Sequence, residues 1–287
     1  MYGPLVSVLL MGMLPVWGIA ENVPSVSGEI TVAPPAAFVL GKLPFIALDG
    51  VISASGVLIL DLESGQSLFE RAPDIARPMA SLTKLMTALL IVENHSLDDI
   101  VTIPLDIEDT VGTVAHLPPG ERFTVGNLLS ALLVMSANDA AVTLARFHSG
   151  SVSDFALAMN ARAVELGLKH TSYQNPAGLD SPLQESSPRD LAWLTMFVMR
   201  RPEIADRMAI RAMRIVSLEG QTIPLSHTHA LLHEDTLVIA GKTGTTEAAG
   251  QCLLSLVEVK QRRLIVILLH SADRYADMRS ILRTFAD

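Results

Sequence analysis

The period of the hydrophobic positions changes several times along the chain. Residues Val51 to Leu60 and Ser67 to Arg71 are apolar or alternating runs joined around Glu63-Ser64-Gly65, which predicts two strands and a turn. Leu82, Leu85, Met86, Leu89 and Leu90 then recur at helical spacing and predict a helix with one buried face. From Phe123 to about Gly167 the chain is apolar, Ala-rich and mostly helical in pattern. Pro188 to Met199 predicts another helix, stopped before Pro202. Leu237 to Ala240, Gln251 to Val259 and Leu264 to Leu269 are strand-like, and Arg274 to Phe285 closes the chain as a helix. Strands at both ends with helices between them predict an α+β fold. Its antiparallel sheet would be built from both chain ends, with helices packed on it and an all-helical insertion between.

The N-terminus departs from this pattern. Leu5 to Ile19 is a mostly apolar run, shorter than the roughly 20 residues a spanning helix needs. It suits the central region of a secretory leader, and Gly18-Ile19-Ala20 supplies small residues for cleavage, although no basic residue precedes the run. Residues 1–20 are therefore expected to be a signal peptide of an exported protein. Residues 21–47, with Pro24, Pro34, Pro35 and Pro44 among Ser, Gly and Ala, read as a linker or arm. Residues 48–287 would form the folded domain.

Composition narrows the function classes. Of 287 residues, 49% are hydrophobic and 18% charged, which excludes an intrinsically disordered chain. The formal charge of −9 argues against a nucleic-acid partner, which needs a basic surface. Cys252 is the only cysteine, so no internal disulfide or thiolate zinc cluster exists.

Three short motifs carry candidate chemistry. In Ser81-Leu82-Thr83-Lys84, the i and i+3 positions of a helix share a face, so Lys84 can reach the Ser81 hydroxyl. A serine needs such a base to become a nucleophile, and a lysine serves as one only when burial or a nearby cation depresses its pKa. Placed near a helix start, the Ser81 N–H would also face a developing oxyanion. In Ser136-Ala137-Asn138 a hydroxyl can relay a proton and an amide can hold a peptide-like substrate. In Lys242-Thr243-Gly244 a cation at the end of a strand would depress Lys84 and attract a carboxylate, while Gly244 permits close backbone approach. Singly, the first two motifs are common by chance and Ser81 would pass for a helix cap. Together, in this order, they form a constellation.

The constellation resembles that of the penicillin-recognising serine D,D-peptidases. The similarity extends to Pro78–Leu89, to Phe123-Thr124-Val125 leading into Met135–Ala141, to Asn175-Pro176-Ala177-Gly178-Leu179 with Arg189–Ala192, and to Lys242–Thr246 with Ala248-Ala249-Gly250. These segments look like the low-molecular-mass D-alanyl-D-alanine carboxypeptidases and endopeptidases. The resemblance implies a β-lactamase/transpeptidase-like fold, no cofactor and an acyl-enzyme mechanism. Ser81 would attack the D-Ala-D-Ala carbonyl, Lys84 would take its proton, and Ser136 would pass one to the leaving amine. Asn138 would hold the substrate amide, Lys242 would supply positive potential, and Thr243 would bind the terminal carboxylate. The Ser81 and Thr245 N–H groups would form the oxyanion hole beside Gly244, and Arg274 would be a carboxylate-binding arginine. Substrates would be peptidoglycan stem peptides in the periplasm or on the outer face of the cytoplasmic membrane, and β-lactams would be covalent inhibitors. Carboxypeptidase action is the main expectation and cross-link endopeptidase action the alternative. Thr245 stands where many carboxypeptidases carry His or Tyr, and with the closing helix at its end the chain is expected to have no C-terminal membrane anchor.

Rival readings fare less well. A serine β-lactamase would need a deacylating Glu, and Glu165-Leu166-Gly167-Leu168-Lys169 only approximates that motif; a helix ending at Gly167 explains it more simply. Gly241-Lys242-Thr243 resembles the end of a phosphate-binding loop, but Thr236 stands where the first Gly belongs, so no nucleotide is expected. His227, His229 and His233 match no standard zinc spacing. A non-catalytic wall-binding protein would not need every motif residue. Against an acidic whole, positive potential must be concentrated in the cleft by Lys84, Lys242 and Arg274.

Overall fold

The computed structural model describes residues 47–285. The expected leader, and all but the last residue of the expected arm, lie outside the described residues.

Five strands, β1 (Gly56–Asp61), β2 (Ser67–Arg71), β3 (Val238–Thr246), β4 (Gly250–Val259) and β5 (Arg262–Ser271), pair in the order β2-β1-β5-β4-β3. Every pairing is antiparallel, and the two chain ends meet where β1 joins β5, with Gly56 opposite Leu269 and Asp61 opposite Leu264. Successive residues of a strand face opposite sides of a sheet. Leu264, Val266 and Leu268 accordingly pack with Leu48, Leu231, Met278 and Ile281, while Ile265, Ile267 and Leu269 pack into a larger core under the helices. Cover on both faces is why these strands read as continuous apolar runs rather than clean alternations.

The helices are α1 (Lys84–Asn94), α2 (Val125–Val134), α3 (Asn138–Ser149), α4 (Val152–Glu165), α5 (Pro188–Val198), α6 (Pro202–Ala209) and α7 (Arg274–Arg283). The long helical stretch after Phe123 is thus three helices. Thr124 caps α2 and Ser151 caps α4, each hydroxyl accepting a backbone N–H three residues on. Gly150, at φ +80°, ends α3. Pro202 stops α5 as expected, yet it also starts α6, because proline suits the first helical turn. The insertion also carries short ribbons, Ile100–Thr102 with Arg122–Thr124 and Ala212–Val216 with Thr222–Ser226.

Two strand boundaries differ from expectation for tertiary reasons. β1 begins at Gly56, not Val51: the backbone N–H groups of Ser53 and Ala54 donate to the buried Asp277 carboxylate of α7 instead (2.7 and 2.9 Å). β3 continues through Thr246, because Lys242, Thr243, Gly244 and Thr245 pair with Leu254, Leu253, Cys252 and Gln251 of β4. Among the described residues, no helix is long and apolar enough to cross a membrane.

Candidate active site

Ser81 does not sit on the expected α-helix. It lies in a 3-10 turn, Ala80–Thr83, immediately before α1, and Ala80 is held at φ +48°. Two glycines make this turn possible. A Cβ on Gly178 would overlap the Ala80 carbonyl, and one on Gly244 would lie 2.8 Å from the Ser81 nitrogen. The middle of β3 is therefore pressed against the Ser81 N–H, which is where an oxyanion pocket between Ser81 and Thr245 would form.

Lys84 opens α1 one turn further on and is fully buried. Its Nζ donates to Ser81 Oγ (2.9 Å), Asn138 Oδ1 (2.7 Å) and the Ala177 carbonyl (2.6 Å). Burial, reinforced by nearby Lys242 and opposed by Asp139, pushes the Lys84 ammonium well below the ordinary lysine range. That shift favours the free amine, a competent base, over the ammonium. Asn138 is oriented for this contact by donating its Nδ2 to the Val111 carbonyl at 2.7 Å. Asp139 accepts the Ala115 and Leu117 N–H groups (3.0 and 3.1 Å), which pins the loop carrying Val111.

Ser136 lies in the break between α2 and α3, not inside a helix, at φ +64°. That left-handed conformation is costly for a non-glycine residue and ends α2 before the hydroxyl. Lys242, also fully buried, donates to Ser136 Oγ at 2.6 Å and to its neighbour's carbonyl, Thr243 O, at 2.9 Å. Burial first, then Arg274, lowers the Lys242 pKa to about 7. Thr243 Oγ1 donates to Thr228 Oγ1 at 2.6 Å. Arg274 is the first residue of α7, not part of a loop. Its Nη1 donates to the Gly244 and Cys252 carbonyls (2.7 and 3.0 Å) and its Nη2 to Thr245 Oγ1 (2.8 Å).

These contacts bring all nine candidate residues together around β3, the Ser81 turn and the break before α3. A separate groove of about 560 Å³ between the β1–β2 turn and α5, lined by Leu60, Leu62, Trp193 and Met196, contains none of them.

Residues 45–273 match the D-alanyl-D-alanine carboxypeptidase family. The chain belongs to this family of hydrolases. It is 30% identical to a D-alanyl-D-alanine endopeptidase of Escherichia coli over 82% of this chain and 78% of that one. To the D-alanyl-D-alanine carboxypeptidase DacD of the same organism it is 33% identical, over 86% of this chain and 67% of the relative. The fold is similar to that of the Streptomyces K15 DD-transpeptidase, with a TM-score of 0.76 and 28% identity over 82% of this chain and 97% of that one. The expected α+β, transpeptidase-like fold and D,D-peptidase family are therefore established.

Within this D,D-peptidase, several contributors were missing from the motif reading. Ala177 acts through its carbonyl, which no side-chain pattern reveals. Its signal was Asn175, whose Oδ1 accepts the N–H groups of Ala177, Gly178 and Leu179 (3.2, 2.8 and 3.0 Å) in a side-chain-stabilised turn. Gln184 props the Ser81 turn by donating to Thr83 Oγ1 at 2.9 Å. The histidines serve structure: buried His229 bonds Ser255 Oγ (2.8 Å) and exposed His233 bonds the carbonyl of buried His227 (2.9 Å). Burial, with nearby cationic groups, lowers His227 to about 3 and His229 to about 4, so both are neutral near pH 7. Glu165 is turned to solvent at the end of α4, paired with Arg162 at 2.9 Å.

Proposed function

We propose that this enzyme is a serine D,D-carboxypeptidase acting on peptidoglycan stem peptides through an acyl-enzyme on Ser81, and that the chain is exported. The observation that carries the assignment of roles is the Lys84 ammonium, fully buried and bonded at once to Ser81 Oγ and Asn138 Oδ1. In its neutral form Lys84 takes the Ser81 proton as Oγ attacks the carbonyl between the two D-alanines. The oxyanion is held by the Ser81 and Thr245 N–H groups. Ser136, bonded to Lys242, passes a proton to the departing D-alanine amine as the C–N bond breaks. Thr243, Thr245 and Arg274 receive the terminal carboxylate, and water then hydrolyses the ester. A β-lactam would acylate Ser81 in the same way and leave it blocked.

Similarity to endopeptidases as well as carboxypeptidases supports a second reading, cleavage of cross-linked stems by the same residues. Purified enzyme should release D-alanine from a pentapeptide stem, and a cross-linked muropeptide dimer offered in parallel tells the two activities apart. Ser81→Ala should abolish both hydrolyses and covalent labelling by fluorescent penicillin. Labelling that survives the substitution would assign the nucleophile elsewhere.

A further inference from the structure

Thr243 and Thr245 lie two residues apart on β3, so their side chains share one face. Each hydroxyl is tied to a partner behind it, Thr243 to Thr228 and Thr245 to Arg274. Both partners rest on a single side chain, Tyr275. Its phenol donates to the Thr228 carbonyl at 3.0 Å and accepts the Ala230 N–H at 2.9 Å. Its ring lies beneath the Arg274 guanidinium, 5.5 Å from the centroid, and meets buried His229 edge-on at 5.8 Å. The ring is itself fixed. It packs on the core beneath the sheet, and its backbone N–H donates to the helix-capping Asp273 carboxylate at 3.1 Å.

We infer that Tyr275 is a positioning residue for recognition of the substrate's terminal carboxylate, setting the Thr228–Thr243 pair through its hydroxyl and the Arg274–Thr245 pair through its ring. The inference rests on the assignment of Thr243, Thr245 and Arg274 to carboxylate binding. A carboxylate presents two oxygens at fixed geometry, and donors already held at matching places bind it without the cost of ordering them. Tyr275 acts only through these residues.

The test compares N-acyl-D-Ala-D-Ala with its C-terminal amide, which keeps the scissile bond but lacks the charge. Tyr275→Phe keeps the ring and removes both hydrogen bonds; it should raise KM for the acid about fivefold with little change in kcat. Tyr275→Leu also removes the cation–π contact and should raise KM further, by about twentyfold in all. In both variants the preference for acid over amide should fall. Thermal melting checks folding, and Tyr275→Phe carries the test should the Leu variant not fold. Equal losses on acid and amide, or no loss on either, would overturn the inference. A wild type that releases D-alanine without preferring the acid would instead remove the carboxylate assignment on which it rests. A wild type that releases none would remove the proposed function as well.

Discussion

Lys84 and Lys242 are enclosed in one cleft, and for each of them burial and a neighbouring cation act in the same direction. The proposed mechanism needs the two in opposite protonation states. Lys84 accepts a proton only when neutral, so the rate should rise as pH climbs through its depressed pKa. Lys242 attracts an anionic substrate only when charged, so affinity should fall as pH passes its value of about 7. The expected kcat/KM profile is a bell whose alkaline limb starts near neutrality. Lys242→Arg, whose guanidinium stays charged, should lower the rate yet move that limb upward. Profiles from pH 5 to 9 check this, and an unmoved limb would mean that another group controls it. Most residues of the proposed machinery were legible in the sequence because their roles call for particular side chains. Ala177 was not, since a carbonyl belongs to every residue, and Thr228 was not, since its value depends on which strand folds against it.

Elements were legible where local pattern and tertiary environment agree. The apolar spacing of α1 shows the helix, although every residue from Lys84 through Ile91 is buried and not one face alone, because α1 is enclosed by other helices. The β4 and β5 runs are apolar because both faces are covered. Legibility failed where a partner overrides propensity, as in the polar half of β3, which is strand only because β4 pairs with it. It failed also at α6, which is only eight residues long and begins with a proline. The 3-10 turn at Ser81 is a third case, imposed by Gly178 and Gly244 packing against its backbone. That contact makes a prediction. Gly178 has φ +86° and no room for a Cβ against the Ala80 carbonyl, so Gly178→Ala must shift the Ser81 turn. Loss of about 2 kcal/mol or more in denaturant stability is expected, with penicillin labelling slowed at least tenfold. Normal labelling and stability in that variant would show that the turn tolerates displacement.

On the scale of the whole molecule, an acidic chain of formal charge −9 gathers Lys84, Lys242 and Arg274 at one site and keeps two histidines, His227 and His229, well below their ordinary range. His227 and His229 stay neutral in the fold down to about pH 3 and 4, whereas unfolded histidine takes up a proton near 6.5. Between those values the unfolded chain binds more protons, so stability is intact above 6.5 and falls as pH drops. Urea titrations at pH 7 and 4.5 should show a loss of about 1.4 kcal/mol per pH unit for each proton involved. His229→Gln should flatten that slope; an unchanged slope would exclude His229 as its source. The sheet that joins the two chain ends has a further consequence, for the order of assembly. Ser81, Lys84 and Ser136 are all synthesised before Lys242, and β1 cannot gain its inner neighbour until β5 exists. Contacts between such distant parts of a chain are slow to form, because a long loop must close before any pairing rewards it. The site is therefore completed only after β3, β5 and α7 have left the ribosome, so a nascent chain that stops short of them has no finished active site.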